Sequence, residues 1–269
     1  MEHKLKKDFR LLFITQDDPF YVRLFFDEFF KTYSSLQDVV AVVIVDAMGK
    51  KSVLKLARQM HDFYGTADFL KVGIRYAAYK VLARTPGLSL LERSFSLKQL
   101  CGRYGIRVMC GGDINSREFL AKLEPLGIDL VISVAAPVIF KEPLIRLPKY
   151  GCINIHNGML PRYRGMLPNF WQMYHGEEKV GITVHEINAK LDDGRIIIQD
   201  EEPLLSDETL DSLIRRTKRM GAQTMAKAVG MIKAGTVSYR ENPQGEGSYF
   251  SFPTKNDVLE FKRRGKRLL

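Results

Sequence analysis

Short apolar runs rich in β-branched residues recur along the chain: FRLLFIT at 9–15, VVAVVIV at 39–45, IRVMC at 106–110 and DLVISV at 129–134. Strands that are apolar at nearly every position are covered on both faces. That requires a mostly parallel sheet between helices, because parallel neighbours are joined only through crossover segments. The segments between the runs can supply those helices. Tyr21 to Tyr33 is amphipathic, and SREFLAKLEPLG opens with Ser116 ahead of the acidic Glu118, a good helix start. The expected fold class is α/β, doubly wound, with helices on both faces.

The rest of the chain fits a Rossmann-like frame with additions. Residues 51 to 83 are basic and helix-compatible, interrupted near Gly65 and Gly73, and read as one or two helices inserted after the second strand. GITVHEI (181–187) and RIIIQDEEPL (195–204) read as two strands, antiparallel at the sheet edge. Ser206 is a candidate N-cap for a long helix ending at Gly235, with Asp207 and Glu208 suited to its first turn. The remaining tail has turn-rich composition and one short helical piece. The division expected is a catalytic domain over 1–205 and a C-terminal helix and tail over 206–269 packed on it.

Composition limits the class. A chain of 269 residues, 45% hydrophobic and 27% charged, can bury a sizeable core. No stretch approaches the roughly 20 apolar residues of a membrane span, no signal peptide is evident, and the default expectation is a cytoplasmic protein with no transmembrane segment. Cys101, Cys110 and Cys152 form no CxxC pair and are expected to be small core residues. The formal net charge of +10 is concentrated: residues 50–84 hold eight Lys/Arg against two acids, and residues 255–269 hold six against two. Such patches suit anionic partners or form a solvated face.

The chemistry gathers around GCINIHNGMLPRYRG (151–165) and LDDG (191–194). Asn154 and His156, two apart at a strand end, share a face. At the carboxyl end of a parallel strand that face opens onto the crevice where α/β proteins bind ligands. An amide can donate to a developing oxyanion, an imidazole exchanges a proton near neutrality, and Asp192 can orient that imidazole. Together they suit acyl transfer. GxSxG is absent, so direct attack by an acceptor amine is favoured over a covalent acyl-enzyme. His156, His175, His185 and Asp192 lack HxxxH or HExxH spacing, and no metal is expected. His175 reads as a helix C-terminal residue, and Trp171 as the anchor of that helix in the core.

Four motifs in register, Asn154-x-His156, Leu160-Pro161-x-Tyr163-Arg164-Gly165, Gly181-x-Thr183 and Leu191-Asp192-x-Gly194, resemble the signature of the folate-dependent formyltransferase family over about residues 105–205. The resemblance implies transfer of a formyl group from 10-formyltetrahydrofolate to a primary amine, with Asn154, His156 and Asp192 as the catalytic trio. It puts the pterin against the loop Ala135 to Phe140, with Ala136, Pro137, Val138, Ile139 and Phe140, joined by Gly158, Met159, Leu160 and Pro161, as the folate-binding set. Arg164, Gly165, Thr183 and His185 are implied on the acceptor side. Arg164 has a turn-stabilising alternative and His185 a structural one. Asp193 falls on a variable position. Pro137 replaces a small flexible residue, and Asn157-Gly158-Met159 replaces a proline, a serine and a leucine.

The acceptor stays open. FITQDDPFYVR has no glycine for a phosphate loop, which speaks against the glycinamide ribonucleotide branch. From Ser206 to Leu269 there are 64 residues, 30 of them in the expected helix, too few for the β-barrel of methionyl-tRNA formyltransferases. An amino sugar attached to a nucleotide is the reading preferred. The alternatives are methionyl-tRNA gripped by the basic patches, hydrolysis of the formyl-folate, and a non-catalytic folate-binding or interaction protein that can include a membrane surface met by residues 50–84. A homodimer is also compatible.

Overall fold

The computed structural model describes residues 9–46, 53–85 and 94–269. Lys50 and Lys51 of the first basic patch, and the first two residues of the expected insertion, lie outside them. Five strands, β1 (Leu11–Gln16), β2 (Val39–Val45), β3 (Val108–Gly111), β4 (Leu130–Val134) and β5 (Cys152–His156), pair in parallel. Two more, β7 (Lys179–Glu186) and β8 (Ile196–Pro203), close the edge antiparallel, giving the order β3-β2-β1-β4-β5-β7-β8. This is the doubly wound, mostly parallel sheet expected.

Alternation along β1 assigns the two faces. Leu11 and Phe13 meet Phe25, Phe26 and Phe29 of α1 (Val22–Thr32) and Ala222, Met225 and Val229 of α8 (Leu210–Ala234). Leu12 and Ile14 point the other way, onto Phe119 and Leu123 of α5 (Arg117–Leu123) and Leu144 of α6 (Glu142–Arg146). Each fully buried side chain of this size contributes about 1.5–3 kcal/mol relative to exposure. Between β2 and β3 lie α2 (Val53–Tyr64), α3 (Thr66–Leu82) and α4 (Leu97–Arg103), and α7 (Pro168–His175) precedes β7.

Three expectations change. The long helix begins at Leu210, not at Ser206: Thr209 is the N-cap and exchanges reciprocal bonds with Ser212, while Glu208 is held outside by Arg216. The inserted pair breaks at Gly65, whose φ of 73° admits the turn, but Gly73 runs on inside α3. Cys101 and Cys152 are buried, whereas Cys110 is exposed because β3 is the edge strand.

The tail packs against the body. Phe261 of α9 (Lys255–Arg263) stacks on Phe170 of α7 at 4.6 Å, and Phe63 of α2 joins the same cluster. Trp171 is 7% exposed in that cluster, the anchoring role expected of it. A second, two-stranded sheet was not foreseen: β6 (Arg164–Gly165) pairs in parallel with β9 (Tyr249–Phe250).

Candidate active site

The chain leaves β1 toward β2 on one side and β4 toward β5 on the other, so the carboxyl ends of β1 and β4 flank a topological switch point. A cavity of about 760 Å³ opens there, within the usual size of a ligand site. Gln16 and Asp18 line it after β1, Ala135, Ala136 and Pro137 after β4, and Asn154, His156 and Asn157 at the end of β5. Gly165, Asp192 and Lys218 complete the polar side, and Leu56, Met60, Leu167, Leu191, Ile214 and Phe252 add apolar wall.

Asn154, His156 and Asp192 are brought together. In the β5–β7 register Asn154 lies opposite His185 and His156 opposite Thr183. The Asn154 Nδ2 contacts His185 Nε2 at 3.2 Å, and His185 Nδ1 lies 2.8 Å from the Glu186 carbonyl. A carbonyl only accepts, so Nδ1 carries the hydrogen, and Nε2 accepts from Asn154. Burial pushes the His185 pKa below the ordinary histidine range, which keeps the ring neutral despite the opposing charge of Asp192. One Asn154 amide hydrogen is thus spent on His185 and the other remains.

The same logic fixes His156. Its Nε2 lies 2.7 Å from the Tyr163 carbonyl and must donate, which turns Nδ1 toward Asp192 Oδ2 at 3.7 Å. Asp192 is 7% exposed and sits at φ 49°, a left-handed backbone that Asp and Asn tolerate best among residues with side chains. Two supports hold it. Its Oδ2 accepts the Gly165 N–H at 2.9 Å, and its carbonyl accepts from Asn242 Nδ2, also at 2.9 Å. The Asn242 amide reaches the Gly194 carbonyl as well, at 3.1 Å, so the tail pins the LDDG turn.

Gly158 and Gly165 are glycines for spatial reasons. A Cβ at Gly158 would lie 2.9 Å from His156 Nε2, so the serine expected of relatives would crowd the imidazole in this geometry. At Gly165, φ is 93° and a Cβ would run into the Phe250 carbonyl oxygen.

The other expected residues separate into those at the cavity and those behind it. Ala136 and Pro137 line it, but Phe140 and Val138 pack into the core beneath, and Ile139 is 68% exposed with its carbonyl held by Asn115. Thr183 is fully buried: its hydroxyl donates to the Gly158 carbonyl and accepts from Leu160 N–H and Gln199, so it shapes the 157–161 turn. Leu160 is buried, Pro161 follows it through a cis peptide, and Met159 packs on Gly181 at a separate hollow. Arg164 turns its guanidinium to the Pro243 carbonyl.

Sequence reasoning missed the far end of the cavity. Lys218 donates to Asn157 Oδ1 at 3.1 Å, and burial lowers its pKa to about 8 against the pull of Asp18. Burial raises Asp18, whose carboxylate accepts the N–H groups of Phe20 and Tyr21. A signal existed: Lys218 interrupts the inward face of α8 one turn beyond Ile214. Gln172, buried, ties the Gly181 N–H to the Asn157 carbonyl.

An α/β sheet carries an amide, an imidazole and a carboxylate at its switch point, an arrangement suited to acyl transfer. Residues 107–229 match the family model described as formyl transferase, and the four motifs from Asn154 to Gly194 that resemble the folate-dependent formyltransferase signature fall inside that stretch. It is 30% identical over 173 residues to a methionyl-tRNA formyltransferase of Geobacter metallireducens, covering 64% of this chain and 56% of that protein. The chain therefore spans little more than half the length of that relative. In fold it is similar to a sugar N-formyltransferase from a Shewanella species, with TM-score 0.57 and 17% identity over 94% of this chain and 87% of that one. It is also similar to glycinamide ribonucleotide transformylase 1 from Symbiobacterium toebii, with TM-score 0.59 and 16% identity over 90% and 96%.

Proposed function

We propose that this protein transfers a formyl group from 10-formyltetrahydrofolate to a primary amine, and that the amine belongs to a nucleotide-linked amino sugar. The observation that carries the transfer reading is the convergence of Asn154, His156 and Asp192 on one cavity at the sheet's switch point. The cavity suits the donor: the apolar side chains of Ala135, Ala136, Pro137 and Leu191 line it, and the backbone of 135–137 offers polar groups beside them. When bound, the folate would supply a formyl carbonyl to which the amine nitrogen bonds; its oxygen carries negative charge until the bond from the formyl carbon to the folate nitrogen breaks, and that nitrogen gains the proton the amine loses.

The residues then divide the work. The Asn154 amide hydrogen not taken by His185 polarises the carbonyl oxygen. Because the His156 Nε2 hydrogen is committed to Tyr163, the proton that His156 holds or releases is on Nδ1, facing Asp192. Asp192 orients the His156 ring from that side and is itself fixed by the Gly165 amide. Asp18, Asn157 and Lys218, across the cavity, form the acceptor end. The Asn157 Nδ2 is buried with no protein partner among the described residues, a donor suited to an acceptor oxygen.

The sugar acceptor is supported by a cavity of small-molecule size and by the likeness to a sugar N-formyltransferase, the equally similar glycinamide ribonucleotide transformylase being disfavoured by the lack of glycine in FITQDDPFYVR. A tRNA acceptor is the second reading, favoured by the methionyl-tRNA formyltransferase relative and the basic surface. The test incubates the full chain with 10-formyltetrahydrofolate and follows tetrahydrofolate and formate, with amino-sugar nucleotides, with methionyl-tRNA, and with neither. Amine-dependent tetrahydrofolate release with an amino-sugar nucleotide is expected. Release of formate without an amine, or no turnover with any acceptor, overturns the reading.

A further inference from the structure

The helix α3 has an amphipathic character that the fold does not use. None of its 17 residues is buried. Its inner side is nevertheless fixed: Arg75 bonds Asp211 at 3.0 Å and lies over the Phe20 ring at 4.5 Å, and Tyr79 packs edge-on to Phe20 and Phe95. On the outer side Leu70, Ile74 and Val81 are 58%, 71% and 64% exposed. Ala67, Gly73, Ala77 and Ala78 are exposed beside them. At 100° per residue these positions fall within an arc of roughly 140° that runs along about 20 Å of helix and carries no charged side chain. Lys71 and Lys80 stand on its two borders, with 70% and 39% of their side chains exposed; each is paired at the surface, with Asp68 at 3.1 Å and Asp17 at 3.5 Å, and exposed pairs of this kind contribute little and can exchange for other anions.

We propose that this outer face of α3 lies on an anionic lipid surface. An uncharged arc bordered on both sides by lysines is the arrangement of a helix lying in the plane of a membrane interface: the apolar face enters the acyl boundary, and long basic side chains extend toward headgroups. Charge decides between occupants. A second copy would set Lys71 and Lys80 against their own kind in a chain of formal net charge +10, whereas anionic headgroups are attracted to both. The neighbouring α2 contributes Leu56 and Met60 to the cavity wall, so a helix pair resting on a bilayer would keep one member in the site.

The test is flotation of the full chain with vesicles of phosphatidylcholine alone or containing phosphatidylglycerol. Wild type is expected to float with the anionic vesicles and not with the neutral ones, and to be released as salt rises. Leu70→Asp/Ile74→Asp should reduce flotation at least tenfold with an unchanged melting temperature, since both side chains are mostly exposed. Should that variant melt early, Lys71→Glu/Lys80→Glu is read instead, with the same loss expected. Equal recovery with both vesicle types, or no loss in the charge-reversal variant, overturns the proposal. So does a concentration-dependent dimer in sedimentation that Ile74→Asp dissolves, because a second copy would then be the occupant.

Discussion

At the scale of single residues, the Asp192 carboxylate is held by the Gly165 amide and set near two imidazoles. Replacing it by Asn preserves the left-handed backbone and an oxygen for Gly165, and removes only the charge. Turnover should fall by about 10²–10⁴ if His156 depends on that charge, while binding of an unreactive folate, followed by titration, stays close to wild type. Unchanged turnover removes Asp192 from the chemistry. His185 makes a second prediction, through pH. Its folded-state pKa is depressed, so below the ordinary value of about 6.5 the unfolded chain binds the extra proton and stability is lost as pH falls. His185→Gln should flatten the slope of melting temperature against pH below that value, and an identical slope in both proteins excludes His185 as a source of it. Asn154, His156 and Asp192 could be read from sequence because their order and flanking motifs are distinctive. Asp18 and Lys218 could not be paired that way: 200 positions separate them, and only the packing of α8 over the β1–α1 turn brings both to one cavity.

At the scale of elements, the β6–β9 pairing decides where the LPRYRG loop sits. Met166 N–H donates to the Phe250 carbonyl at 2.8 Å, Arg164 N–H to the Ser248 carbonyl at 2.9 Å, and Trp171 Nε1 to the Ser251 carbonyl at 3.0 Å. Gly165→Ala adds a methyl group in the path of the Phe250 carbonyl at a backbone angle that disfavours any side chain. It should cost about 3 kcal/mol or more in chemical denaturation. A loss below about 1 kcal/mol would mean that the tail segment 242–251, which straps β6 and the LDDG turn, shifts without resistance. The sheet strands were legible because their apolar runs have no other use. The strap was not, since two-residue strands carry no periodicity, and turn-rich composition gives no hint of what a tail will touch. Thr209 escaped notice for a related reason: Ser206, Asp207 and Glu208 look equally good as a helix start, and only the reciprocal bonding of Thr209 with Ser212 selects the boundary.

At the scale of the whole molecule, charge distinguishes the acceptors. A chain that grips tRNA through several phosphates should lose affinity steeply with salt, with a slope of log K on log salt near 0.7–0.9 per phosphate neutralised, whereas a nucleotide sugar should give a shallow dependence. Binding isotherms at two or more salt concentrations separate the two, and a steep slope for a bound sugar nucleotide would contradict an acceptor held inside the cavity. The basic surface was visible in composition, but its division between helix ends, ion pairs and an open helix face was not, because pairing with Asp17, Asp68 or Asp211 depends on contacts distant in sequence or on exposure. The strap has one further meaning, in time. Residues 242–251 are synthesised after every strand of the main sheet and after α8. A growing chain can complete the sheet while Asp192 still lacks the amide of Asn242 and Gly165 still lacks Phe250. Chains interrupted before residue 242 are expected to keep the seven-stranded sheet while losing the Asn242 and Phe250 contacts around Asp192 and Gly165, together with the packing of Phe261 on Phe170.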